Sequence, residues 1–96
     1  MHARVTTITG PVERAKETRQ VLTEQTMPEL RAIPGLKNAY LLADDASGKY
    51  VGVFLYETEA DIVASREAAT KIREGAVGST GGTIQSVEEF EVIGQI

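Results

Sequence analysis

The 96-residue chain has room for one domain, residues 1–96, and its ordinary balance of 42% hydrophobic and 25% charged residues marks it as globular. The net charge is −4 and the ten basic residues are scattered, which argues against nucleic-acid binding because no basic footprint forms. No apolar run reaches the roughly 20 residues of a membrane span, Met1 to Arg4 carry no signal-peptide core, and there is no cysteine; the expectation is a cytoplasmic protein with no membrane partner, no disulfide and no thiolate chemistry.

His2 to Thr9 is rich in β-branched residues and predicts a first strand. Gly10-Pro11 interrupts it, and Pro11 suits the first position of a helix, where a missing N–H costs nothing. Val12, Ala15, Arg19 and Leu22 follow at helical spacing, and Pro28 should end or kink that helix near Thr26. Leu30 and Ile33 suggest one more helical turn before Pro34-Gly35. Leu36 to Ala43 and Tyr50 to Glu57 are two strands of a hairpin, with Asp44 to Lys49 as the turn. Thr58 is a capping residue for a second helix carrying Ile62, Ala69, Ile72 and Ala76 on one face. The glycine-rich stretch Gly75 to Gly82 lacks the lysine ending of a phosphate loop and reads as a flexible connection. Thr83 to Ile93 is the last strand.

The order β-α-β-β-α-β is the split arrangement of a ferredoxin-like α+β fold. Right-handed crossovers place strand one between strand three and the last strand, with both helices on one face. The other face should then be polar, yet it is not. Strand three puts Tyr50, Gly52, Phe54 and Tyr56 on one side and Val51, Val53 and Leu55 on the other; strand two puts Leu36, Tyr40 and Leu42 opposite Ala39, Leu41 and Ala43. A second copy of the chain is the simplest cover for the spare face, giving a homodimer.

These residues also carry a resemblance. Pro34-Gly35-Leu36, the turn Ser47-Gly48-Lys49, the run Val53-Phe54-Leu55-Tyr56-Glu57-Thr58 and the closing Glu89-Phe90-Glu91-Val92 resemble antibiotic-biosynthesis-monooxygenase-type (ABM-like) domains of the dimeric α+β barrel superfamily. The resemblance spans nearly the whole chain and implies two sheets packed across a dimer axis, with a pocket between sheet and helices in each subunit. It also implies a choice of activities: cofactor-independent oxygenation of aromatic polyketides or quinols, or haem degradation. Haem-degrading relatives ligate iron through a helix histidine, whereas the single histidine here is His2, on strand one. No metal site and no cofactor are therefore expected.

Cofactor-free oxygenation needs donors that hold a phenolate in a dry pocket. Asn38, Tyr40, Tyr56, Ser65 and Arg66 are the candidates for a ligand-binding site, each with an ordinary packing or solvated role as the alternative. Tyr56 stands where the family's strand-three motif often shows a tryptophan. Arg4 lies in the central strand, where a charge must be paired; Glu57, Glu88, Glu89 and Glu91 offer cross-strand partners. Two functions stay open: a domain that binds a small aromatic or quinol-type ligand and oxidises it without cofactor, or a non-catalytic dimeric regulatory or accessory module.

Overall fold

Glycine, proline and aspartate turns divide the chain into four extended runs and two helical ones, which the computed structural model describes from Met1 to Ile96. Strands β1 (His2–Thr9), β2 (Leu36–Asp44), β3 (Lys49–Tyr56) and β4 (Thr83–Glu91) form one sheet in the order β2-β3-β1-β4, every neighbouring pair antiparallel. A 3-10 turn (Val12–Arg14), α1 (Ala15–Val21), a π turn (Leu22–Thr26) and α2 (Met27–Arg31) follow one another between β1 and β2, and α3 (Glu59–Thr80) links β3 to β4. The arrangement is the ferredoxin-like order with β1 in the middle. No helix is long and apolar enough to cross a membrane.

Both helical segments lie against the same side of the sheet. Ile8 and Tyr50 pack with Leu22 and Ala76 towards one end, and Tyr56 packs with Leu30, Ile33 and Ile62 towards the other. Half-buried Leu41 completes the first cluster from β2. Leu41→Asp places a carboxylate among these side chains, and its expected cost is about 2–4 kcal/mol, read as a lower urea midpoint.

Three local details differ from the sequence expectation. Of the two outcomes expected at Pro28, the helix does not end but is distorted up to Thr26: the π turn just before Pro28 carries the chain on, with the Met27 N–H donating to the Leu22 carbonyl five residues back. The glycine-rich stretch is helical as far as Thr80, because Ala76 and Thr80 are buried while Gly75 and Gly78 face open space. The helix stops only at Gly81, whose φ of 70° suits a left-handed cap. Leu36 belongs to the helix side and not with Tyr40 and Leu42. The β2–β3 register shifts between Leu36 and Asn38, so Leu36 opposes Tyr56 and packs near Leu30 and Ile33.

Other local signals act as read. Thr58 Oγ1 accepts from the Asp61 N–H at 3.1 Å and caps α3. Gly48, at φ 70°, closes the β2–β3 turn; a side chain there would collide with the Gly10 carbonyl oxygen.

The register also defines the face away from the helices. Tyr40, Val53 and Val5 stand in one row, Leu42, Val51 and Thr7 in the next, and Ala3 lies between Leu55 and Phe90. Tyr40, Leu42 and Phe90 are each about half exposed, at 55%, 52% and 50%. The middle of this face is apolar, with Asn38, Thr7, Ser86 and Glu88 also on it, and neither helical segment covers it.

Candidate functional site

Arg4 is the only charged residue of β1 in the sheet's centre, and it is 1% exposed. Its guanidinium is fully engaged. Nη2 and Nε donate to Glu89 Oε2 at 3.0 and 3.3 Å, Nη1 donates to the Tyr56 hydroxyl and to Ser65 Oγ at 3.1 Å each, and Nη2 also reaches the Ile62 carbonyl at 3.2 Å. The ion pair expected for Arg4 therefore forms within the chain, and Glu89 of β4 is the partner. Arg66 of α3 grips the same carboxylate from outside, its Nη2 donating to Oε1 at 2.7 Å. The hydrogen bond from Arg66, and then that from Arg4, hold the Glu89 carboxyl below the usual glutamate range against the opposing push of desolvation.

Beside this network, between helices and sheet, lies a cavity of about 60 Å³. Most of its lining is apolar, contributed by β1, β2, β3, the π turn, α2 and α3. Two guanidiniums, Arg4 and Arg73, reach its wall, and no acidic residue does. Arg73 lies on the sheet-facing side of α3, half-buried, with neither an ion pair nor a hydrogen bond. Burial, and then the nearby Arg4 charge, lower its pKa from the usual arginine value. Three further lining residues, Thr6, Thr26 and Tyr50, have hydroxyls buried without any partner. Gly52 shapes the floor: a Cβ there would collide with Phe54 Cζ, so the Phe54 ring lies across the glycine and forms part of the wall. A second depression, about 360 Å³ near Glu29, Pro34 and Lys71, is an open surface groove.

The five candidate residues divide. Tyr56 is 1% exposed and lines the cavity. Its hydroxyl accepts from Arg4, which leaves its own proton to donate. Ser65 is buried, accepts from Arg4 and donates to the Ile62 carbonyl at 2.7 Å. Arg66 is exposed and bound to Glu89. Asn38 and Tyr40 are exposed on the opposite face of the sheet, opposing Leu55 and Val53. Arg73 and the three orphan hydroxyls are absent from the sequence candidates. For Arg73 a signal exists, since it recurs four residues after Ala69 and three before Ala76, in the spacing that also buries Ile62 and Ser65. His2 stands opposite Tyr56 in the β1–β3 register without itself lining the cavity, and its Nε2 lies 3.6 Å from Glu59.

No protein-family model matches the chain, and no curated protein is similar to it in sequence. Solved structures are similar throughout its length. A protein from Deinococcus radiodurans described as an antibiotic biosynthesis monooxygenase superposes with a TM-score of 0.75 at 16% identity, over 100% of this chain and 96% of that one. The fold is that of the antibiotic biosynthesis monooxygenases. SnoaB from Streptomyces nogalater, a cofactor-independent oxygenase, shares this ABM-like fold with a TM-score of 0.74 and 17% identity, over 99% of this chain and 95% of SnoaB. MhuD from Mycobacterium tuberculosis, a haem-degrader with two haems in its active site, gives 0.76 and 17%, over 100% of this chain and 99% of MhuD.

Proposed function

We propose that the protein is a homodimer in which each subunit binds a small aromatic, quinol-type molecule in the cavity between helices and sheet. The carrying observation is the lining itself: apolar walls with Arg73 unpaired, Tyr56 able to donate, and no carboxylate. Binding sites of this kind combine a greasy surface with a few convergent polar groups. The ABM-like fold, shared with the cofactor-independent oxygenase SnoaB, supports oxidation of that ligand without cofactor as the catalytic form of the reading. In that form the ligand's own anion reduces O₂, and the protein's work is to hold the anion and exclude water. The fold is shared equally with MhuD, but His2 is the only histidine and lies on β1, so α3 offers no imidazole to an iron.

At about 60 Å³ the cavity is smaller than the roughly 300 Å³ at which ligand pockets begin. Phe54, only half-buried and resting over Gly52, is the wall that would have to rotate for a ligand to fit. The same small volume favours a second reading, a non-catalytic accessory module whose cavity stays closed. Titrating quinols and flavonols into the dimer, with NMR shifts and oxygen uptake followed together, separates the two. Shifts centred on Phe54, Tyr56 and Arg73 are expected for the ligand-binding domain, and oxygen consumption above the buffer rate would mark the enzyme. Neither signal with any compound would leave the accessory module.

A further inference from the structure

Resting on the ligand-binding reading of this cavity, we propose that its ligand enters as an oxyanion, a carboxylate or phenolate on an apolar ring, with Arg73 as the counter-charge. The chain as a whole carries −4, yet its cavity wall carries two guanidiniums and no acid. Arg4 and Arg66 take the Glu89 carboxylate, and Arg73, with Glu74 and Glu89 as its nearby acids, forms no ion pair or hydrogen bond with either. Arg73 is thus the guanidinium without a direct partner, placed where burial already strips part of its hydration. A half-desolvated cation without a partner is costly, and an anion beside it recovers that cost.

The lining residues also include three with unmet hydroxyls. Thr6, Thr26 and Tyr50 are 7%, 6% and 2% exposed, and each holds a hydroxyl with no partner. A hydroxyl rotor can donate to an oxyanion, and an unmet group is a cost removed by a ligand that reaches it. The Thr26 hydroxyl is carried by the π turn, a distortion that alters which helix residues face the cavity and is common at functional sites. A neutral aromatic ligand would fill the apolar walls and leave Arg73 and these hydroxyls as they are.

The test compares ring compounds in neutral and anionic pairs: benzoate with benzamide, and 4-nitrophenolate with 4-nitroanisole, titrated into the intact protein by NMR. Each anion is expected to bind about ten-fold more tightly than its neutral partner, as a charge-assisted contact predicts. Arg73→Met, of similar length and uncharged, should bring that ratio near one, and Arg73→Lys should keep most of it. Preference for only the carboxylate pair or only the phenolate pair would identify which oxyanion the site takes. Equal affinity within both pairs in the unaltered protein would overturn the anion inference while leaving aromatic binding in place. An anion preference that persists in Arg73→Met would overturn the role of Arg73. Failure of all four compounds to bind would remove both the inference and the reading beneath it.

Discussion

Glu89→Ala should cost the fold about 3 kcal/mol, the largest loss expected from any single surface-accessible side chain of this protein. The reason is what it leaves behind. Arg4 is 1% exposed, and without Glu89 its charge has only the Tyr56 and Ser65 hydroxyls and one carbonyl. Removing one member of a buried pair strands the other, which costs about 3–5 kcal/mol; the lower figure applies because the Glu89 side chain is itself 25% exposed. A domain of this size is typically stable by about 5–15 kcal/mol, so the shift in urea midpoint is large. Arg4→Met combined with Glu89→Ala should recover at least half of the loss, since no charge is then stranded. An unchanged midpoint for Glu89→Ala would sink the account.

Acid should produce the same event reversibly. The folded protein holds the Glu89 carboxyl below its usual range, so the unfolded chain takes up that proton first as pH falls. The stabilisation is complete above the ordinary glutamate value and is lost as pH drops through the lowered folded one. Glu89→Gln cannot titrate there, so the difference between its stability and that of the unaltered protein should shrink on the acid side of the glutamate range and hold steady above it.

The fold is legible because strand and helix periods agree with turn chemistry along most of the chain. Val51 to Tyr56 alternates between the two sheet faces, and Thr58 marks the start of α3 as a cap should. The exceptions have specific causes. The register shift at Leu36–Asn38 inserts one residue, and period-two counting cannot see an insertion, so Leu36 reads onto the wrong side. Gly75 and Gly78 read as breakers because propensity is local, whereas the burial of Ala76 against Ile8, Leu22 and Tyr50 is tertiary. The pairing need of Arg4 is plain from one charge in a central strand, but choosing Glu89 among four glutamates takes the β1–β4 register, which sets Arg4 opposite Glu89. Tyr56 can be placed near the cavity from its strand. Arg73 escapes notice because an arginine on a helix is usually solvated, and only its phase relative to Ile62 and Ala69 shows otherwise.

The proposed homodimer gives the other large effect, which falls on assembly and spares the fold. Val53 sits mid-strand on the face the helices leave bare, between Val5 and Tyr40, with Leu42 and Phe90 exposed nearby. If a second copy covers this face, the unaltered protein sediments at twice 10.4 kDa at micromolar concentration. Val53→Asp then buries a carboxylate twice, once from each subunit, because a two-fold interface repeats every substitution. At about 2 kcal/mol per copy the dimer loses about 4 kcal/mol, on the order of a thousand-fold in its dissociation constant. The variant should sediment near 10.4 kDa with its far-ultraviolet dichroism retained, since in the separated subunit the introduced carboxylate would meet water. Val63→Asp, at an exposed position on α3, is the control and should leave the mass unchanged. A single-chain mass for the unaltered protein at that concentration would refute the dimer and leave an apolar sheet face without a partner. Because Val53 is not among the residues that line the cavity, ligand binding should survive Val53→Asp, which makes pairing and binding separable properties of one small sheet.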